Sequence, residues 1–252
     1  MKAVMLVGGY GTRLRDITGP DIPKPMVPVP FNEEKYPLLE TVIGNLYKQG
    51  IRDYVFCTGY KAEKIEEHFG DGSEFGINIK YQGGGETLAP GAILKQAGRF
   101  IDDENFLLVC GDVYQAVPID SFLDSFYSNP GLLGQMAVYR NVDELSSTVP
   151  NVAISKRGVV TDYSKEGAKG EITGVETGFL AFKTSVLDII PEGNAATILG
   201  DLYPSLIKEG RFGGFVTDER FFDVGTPERY RLFCDYVKQE NIMPLSLMGA
   251  RG

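Results

Sequence analysis

Ala3-Val4-Met5-Leu6-Val7-Gly8-Gly9-Tyr10-Gly11-Thr12-Arg13-Leu14 opens the chain and decides how the rest of it reads. Five apolar residues without polar alternation make a strand covered on both faces, as in a parallel sheet. The strand stops at Gly8-Gly9. Glycines there let the backbone approach a ligand closely and present its N–H groups as a concave array suited to phosphate oxygens. Arg13 follows with a planar fork that can hold two such oxygens at once. The loop is no Walker A, because no Gly-Lys-Ser/Thr follows, and Leu14 stands where a dinucleotide fingerprint requires glycine. A glycine-rich turn alone is often only a turn, so its meaning depends on its neighbours.

Outward from this stretch the same texture recurs. Pro37–Gln49 carries Leu39, Val42, Ile43 and Leu46 at helical spacing and stops at Gly50. Tyr54–Thr58 is a second buried strand, Ala62–Phe69 a short amphipathic helix and Ile77–Tyr81 an alternating strand. Gly91–Phe100 reads as a helix, Phe106–Cys110 as a strand, Ile119–Tyr127 as a helix and Leu133–Tyr139 as a strand. Apolar strands alternating with helices, joined by right-handed crossovers, predict an α/β fold with a Rossmann-like, doubly wound, mostly parallel sheet. Near Asn141 the texture changes. Val152–Ser155, Val159–Tyr163 and Val175–Phe182 are short strands joined by glycine-containing turns, which predicts a small antiparallel insertion on the substrate side, over one edge of the sheet. A helix at Ala195–Lys208, a strand at Phe212–Val216 and a helix at Pro227–Gln239 close the pattern. With no repeat, linker or low-complexity tract, residues 1–252 read as one domain, with halves at 1–140 and 141–225 and a helix and tail at 226–252.

The 252 residues carry 25 basic and 34 acidic side chains, a net charge of −9 that repels a nucleic-acid backbone. The longest apolar runs are far short of a membrane span, and Met1–Leu6 is a strand rather than a signal peptide. Neither nucleic acid nor a membrane is therefore an expected partner. Cys57, Cys110 and Cys234 lack metal-ligand spacing and read as reduced thiols of a cytoplasmic protein. His68 is the single histidine, and its polar helical surroundings make it a solvated residue. Chemistry built on a Ser-His-Asp triad or several histidines must manage with one imidazole, which removes most hydrolase readings.

Three further elements belong with the glycine loop. In Ile22-Pro23-Lys24-Pro25-Met26 a proline follows both Ile22 and Lys24, so both are expected in extended conformation. Lys24 is thus pinned in a stiff segment, which suits an ammonium set against a phosphoryl group. Cys110-Gly111-Asp112 ends a buried strand, beyond which open α/β sheets bind ligands, so Asp112 is well placed for a metal or a ribose. In Asp223-Val224-Gly225-Thr226-Pro227-Glu228, Thr226 reads as a helix N-cap and Pro227 as the first helical residue. Asp112 and Asp223 together could hold one Mg²⁺, a hard cation that takes oxygen ligands and keeps part of its water. Each acid alone reads equally well as a cap or turn residue.

These elements, in this order, resemble the sugar-1-phosphate nucleotidyltransferases. The family's Leu-x-Gly/Ala-Gly-x-Gly-Thr-Arg-Leu, Leu/Ile-Thr and Pro-Lys-Pro stand here as Leu6–Leu14, Ile17-Thr18 and Pro23-Lys24-Pro25. Gly111-Asp112, Lys165, Glu176-Thr177-Gly178 and Asp223-Val-Gly-Thr-Pro extend the resemblance over nearly the whole chain. It implies transfer of a nucleoside monophosphate from an NTP to a sugar 1-phosphate with release of pyrophosphate. Residues 1–140 would be the nucleotide-binding half and 141–225 the sugar-phosphate-binding half. By the same resemblance Arg13, Lys24 and Asp112 would be catalytic, and Asp112 and Asp223 would carry Mg²⁺. The nucleotide would be held by Leu6, Gly8, Gly9, Gly11, Thr12, Arg13, Lys24, Gln82, Thr87, Ala89, Gly91 and Gly111. Lys165, Glu176, Thr177 and Gly178 would hold the sugar phosphate. Such a transfer needs in-line positioning and charge stabilisation, and its phosphate nucleophile is already ionised, so no general base is required.

Departures from the family pattern bear on specificity. Ser164-Lys165-Glu166 replaces Glu-Lys-Pro, which leaves Lys169 as a competitor of Lys165. Thr87-Leu88-Ala89-Pro90-Gly91 replaces Leu-Gly-Thr-Gly/Ala, and Pro90 removes a backbone donor. Gly8-Gly9 and the run Glu67–Gly76 look like short mannose- or heptose-1-phosphate guanylyltransferases, so GTP with such a sugar is the expectation. The alternatives are a cytidylyl- or uridylyltransferase and a non-catalytic regulatory homologue that binds nucleotide sugar. A glycosyltransferase fits less well, since Gly111-Asp112-Val113-Tyr114 supplies no Asp-x-Asp. Oligomeric state is left open: Met243–Met248 is apolar enough for a homo-oligomer interface or a packed tail. With the chain ending at Gly252, no C-terminal β-helix is expected to follow.

Overall fold

The structure is a computed structural model describing residues 1–84, 87–140 and 149–248; the change of texture at Asn141 lies outside the described residues. Strand β1 (Lys2–Leu6) runs into the glycine loop and a short helix α1 (Arg15–Thr18). A hairpin of β2 (Pro28–Phe31) and β3 (Glu34–Pro37) follows, then α2 (Leu38–Lys48), β4 (Asp53–Thr58), α3 (Ala62–Phe69) and β5 (Asn78–Gly83). Next come α4 (Pro90–Ala97), β6 (Asn105–Cys110), β7 (Val113–Gln115), α5 (Ile119–Tyr127) and β8 (Gly134–Tyr139). The chain then forms β9 (Val152–Ile154), β10 (Val160–Tyr163), β11 (Ile172–Lys183), α6 (Tyr203–Lys208), β12 (Phe212–Thr217), β13 (Phe221–Asp223) and α7 (Pro227–Gln239).

These elements make two compact units divided by space and not by chain order. The first comprises Met1–Thr87, Val109–Tyr114 and Phe222–Gly252, the second Leu88–Leu108 and Gln115–Phe221. In the first unit β1 pairs parallel with β4, from Ala3 opposite Tyr54 to Leu6 opposite Cys57, and β4 with β5, from Asp53 opposite Asn78 to Thr58 opposite Gly83. Ala3, Val4, Met5, Val55 and Phe56 are fully buried, as strands covered on both faces require. Leu39, Val42, Ile43 and Leu46 bury the apolar face of α2.

In the second unit β8 lies between β11, antiparallel, and β12, parallel. The strands β9 and β10 pair antiparallel, and β9 also pairs antiparallel with the start of β11, which is the expected insertion. The doubly wound, mostly parallel α/β class therefore holds, with a small antiparallel part.

One local element goes unread and two local expectations are corrected. The β2–β3 hairpin carries no strand signal in the sequence, where Pro28 and Pro30 interrupt the pattern; a two-stranded ribbon tolerates prolines at its free edges. It turns through Asn32 at φ 54°. The single helix expected at Ala195–Lys208 is instead a π-helical turn (Ile198–Leu202) leading into α6. Pro204 lacks an N–H and its ring crowds the carbonyl four residues back, so the preceding turn widens. Finally, His68 is not simply solvated. Its Nε2 lies 2.7 Å from Oε1 of Glu40, a buried carboxylate on α2.

Candidate active site

The first unit assembles a charged cluster at the end of β1. Gly8 packs backbone to backbone on the next strand's exit: a Cβ there would lie 3.2 Å from Gly59 N. Gly11 adopts φ 65°, and a Cβ on it would come within 3.2–3.3 Å of the Lys24 backbone and Cβ. The Lys24 N–H donates to the Gly9 carbonyl at 3.2 Å. The glycine loop and the Pro-Lys-Pro segment are thus one backbone assembly, anchored by buried Leu14. Lys24 is not extended as expected but opens a 3₁₀ turn closed by Val27 N–H on its carbonyl. The turn places Pro25 in a first-turn position, where its missing donor costs nothing.

The Lys24 side chain is only 11% exposed, and its Nζ meets Asp112 Oδ2 and, at 3.3 Å, Asp223 Oδ1. Gly111 puts Asp112 there: its N–H donates to Leu6 C=O at 3.0 Å, and a Cβ would strike Val7 at 2.6 Å. Asp223 is brought alongside by Val224 N–H donating to Asp112 C=O at 3.1 Å. Burial pulls the Lys24 ammonium down, but Asp112 and Asp223 more than offset it, so its pKa lies above the ordinary value. Arg229, in the first turn of α7, places Nη1 2.8 Å from Asp223 Oδ2. A Cβ on Gly225 would lie 3.0 Å from Asp223 Oδ1 and 3.1 Å from Arg13 Nη2, so this glycine makes room for both. Two carboxylate oxygens thus converge on one cationic point, with Arg13, Lys24 and Arg229 around them. Such a point fits a hard divalent cation, and the basic side chains fit phosphate oxygens.

Of the other residues in this unit that the sequence reading expects to hold the nucleotide, Leu6 closes β1, Gly9 and Thr12 are exposed at the loop, and Thr87 is exposed. Gln82 lies buried near the end of β5, its Nε2 donating to Gly83 C=O at 2.8 Å.

The second unit holds a separate polar centre. Glu176 on β11 accepts from Tyr163 Oη on Oε2 at 3.0 Å and from Tyr203 Oη on Oε1 at 2.9 Å. Its own N–H donates to Asn151 Oδ1 at 2.8 Å. Gly178, at φ 72°, sits in the register irregularity that follows Glu176. Burial raises the Glu176 carboxyl above its ordinary value, against the opposing pull of Tyr203, Tyr163 and the Lys165 charge. The Lys165 charge bears on this carboxyl, and the backbone N–H of Lys169 donates to Asp162 Oδ2 at 3.0 Å. Thr177 is buried and donates to Ala137 C=O. The Ala89 N–H donates to Asn194 C=O, and a Cβ on Gly91 would lie 2.7 Å from Ala196 O, so both pack on the 194–197 segment. Pro90 is the first residue of α4, a position whose missing donor is harmless.

Sequence reasoning missed Arg229, Tyr163 and Tyr203. Arg229 did leave a trace: a basic residue in a helix's first turn opposes the macrodipole and so asks for a reason. The tyrosines left none, since strand and helix tyrosines are ordinary core residues.

The nucleotidyl transferase family model matches residues 2–239 of this chain. A D-glycero-alpha-D-manno-heptose 1-phosphate guanylyltransferase of Aneurinibacillus thermoaerophilus is 30% identical over 233 residues, covering 92% of this chain and 96% of that protein. A UTP–glucose-1-phosphate uridylyltransferase of Synechocystis is 29% identical over 244 residues, 91% of this chain; the chain spans 61% of that relative's length. The crystal structure of HddC from Yersinia pseudotuberculosis aligns with a TM-score of 0.76 at 25% identity, covering 94% of this chain and 99% of that one. The same protein has been solved complexed with GMP-PN. A match over nearly the whole chain, joined to this fold and this charged loop, means that the protein belongs to the nucleotidyl transferase family, among its sugar-1-phosphate nucleotidyltransferases.

Proposed function

We propose that the protein transfers a nucleoside monophosphate from an NTP to a sugar 1-phosphate, with GTP and a mannose- or heptose-type sugar as its pair. The observation that carries this is the convergence of Asp112 and Asp223 on Lys24 beside the glycine loop. A phosphate oxygen of the sugar 1-phosphate attacks the α-phosphorus as the bond to the β-phosphate oxygen breaks, and pyrophosphate leaves with the electron pair. The N–H groups of the Gly8–Gly11 loop and the Arg13 fork hold the phosphates that depart. Lys24 neutralises charge at the α-phosphorus. Asp112 and Asp223 would hold Mg²⁺, which would supply charge withdrawal from the phosphate oxygens. Glu176 accepts from sugar hydroxyls and Lys165 pairs with the sugar phosphate. No side chain need remove a proton, which accords with a chain holding one histidine.

The guanylyl preference draws support from the heptose guanylyltransferase relative and from Gly8-Gly9, and the uridylyl relative keeps the base open to test. A cytoplasmic setting accords with three cysteines that are not joined in disulfides, of which Cys57 is pushed by burial to about 12 and is inert. The test is pyrophosphate release with Mg²⁺ across the four NTPs, each paired with hexose, heptose and amino-sugar 1-phosphates. Release that needs GTP together with a manno-configured sugar phosphate is the expected result. Release with another base corrects the specificity, and silence across the panel with nucleotide still bound points to a regulatory homologue.

A further inference from the structure

Asp223 divides its two oxygens between two cations. Oδ1 faces Lys24 Nζ at 3.3 Å, where Asp112 Oδ2 also points, and Oδ2 is 2.8 Å from Arg229 Nη1. The guanidinium thereby engages one carboxylate oxygen and leaves the other for the shared cationic point. The two carboxylates are already matched by Lys24 and Arg229, with Arg13 a third positive charge beside Gly225. A free dication approaching this point meets no net negative charge. A polyphosphate brings several negative charges and reverses that balance. Arg229 also stands in the first turn of α7, where a helix N-terminus disfavours a basic side chain, a cost that the Asp223 contact offsets.

We propose that Arg229 is a positioning residue that keeps the Asp112–Asp223 pair closed to free divalent metal and open to metal arriving on a polyphosphate. This rests on reading that pair as the metal-holding residues. Binding of Mn²⁺ alone, followed by the EPR signal of the free ion without nucleotide, tests it on the full chain. Arg229→Gln should bind Mn²⁺ roughly tenfold more tightly than the parent protein, the scale of one positive charge removed a few ångströms from a dication. Arg229→Lys, which keeps the charge, should stay near the parent. Arg229→Gln/Asp112→Asn should lose the gain.

With Mg²⁺ and NTP, Arg229→Gln should turn over more slowly even though its metal affinity has risen, a pairing that a merely structural role does not produce. Arg229→Met replaces the glutamine variant if circular dichroism shows that the latter is unfolded. Mn²⁺ affinity equal to or below the parent's in the folded variant overturns the proposal, as does a lysine variant that binds as tightly as the glutamine one. If that happens while Asp112→Asn still abolishes metal-dependent turnover, Arg229 is relieved of the role and the metal assignment stands. If Asp112→Asn leaves Mn²⁺ binding and turnover intact, the metal assignment itself falls, and this proposal with it.

Discussion

Glu176 is a carboxylate that its surroundings both need and resist. Burial raises its pKa, and the two tyrosine hydroxyls and Lys165 only partly counter that. The unfolded chain ionises near the ordinary value while the folded protein holds the proton to higher pH. The stabilising contribution is therefore fully present below the unfolded pKa and is lost as pH rises through the folded one. Glu176→Gln should raise the melting temperature at pH 8 by a few degrees, about 1 kcal/mol at this chain length, and the gain should shrink toward zero near pH 4.5. Pyrophosphate release by the same variant should fall at least ~10-fold through a weaker hold on the sugar. A melting temperature lowered equally at both pH values contradicts the burial account.

At the scale of elements, the loop after β1 and the turn at Lys24 act as one piece, because Gly11 lets two backbones touch. Gly11→Ala adds a Cβ at φ 65° and pushes it into Lys24. Gly210 is the comparison: φ is 67°, with nothing within 4 Å of a Cβ. Both substitutions should cost about 1 kcal/mol for the left-handed backbone. Gly11→Ala alone should also lower turnover by roughly 10-fold or more, because it displaces the lysine's segment. Melting curves and pyrophosphate release measured side by side separate the two effects, and equal turnover in both variants removes the loop–Lys24 contact from the mechanism. The strand, the loop and the Thr226 cap of α7 were legible from the sequence because each is a local matter of apolar runs, glycine and capping chemistry. The π-helical turn before Pro204 and the β2–β3 hairpin were not, since both depend on how a proline is accommodated by surrounding chain.

Within the first unit, long-range order is set by a few buried polar groups. Glu40, 1% exposed on α2, takes His68 of α3 on Oε1 and, on Oε2, the Ser246 N–H at 3.0 Å and its hydroxyl at 2.5 Å. Gly44 on the same helix leaves space for Met243, Leu245 and Met248, so the tail is packed against α2. Glu40→Ala strands these donors and should cost about 2–3 kcal/mol, a fall of roughly 5–10 °C in melting temperature. Ser246→Ala should cost about 1 kcal/mol. Thermal unfolding checks both, and an unchanged melting temperature in Glu40→Ala would mean that the tail is held by its apolar contacts alone.

The order of residues along the chain was enough for the α/β class, and it marked the glycine loop with Arg13, Lys24, Asp112 and Asp223 as the candidate site. Periodicity, glycine and proline act over a few residues and leave their mark in the order of the chain. Only the tertiary structure decided that Lys24 stands between carboxylates 88 and 199 residues away, that Arg229 takes the second oxygen of Asp223, and that two tyrosines frame Glu176. Charge pairing and hydrogen bonding depend on distance in space. Where strands and turns bring remote segments within 3 Å, no spacing in the sequence records it.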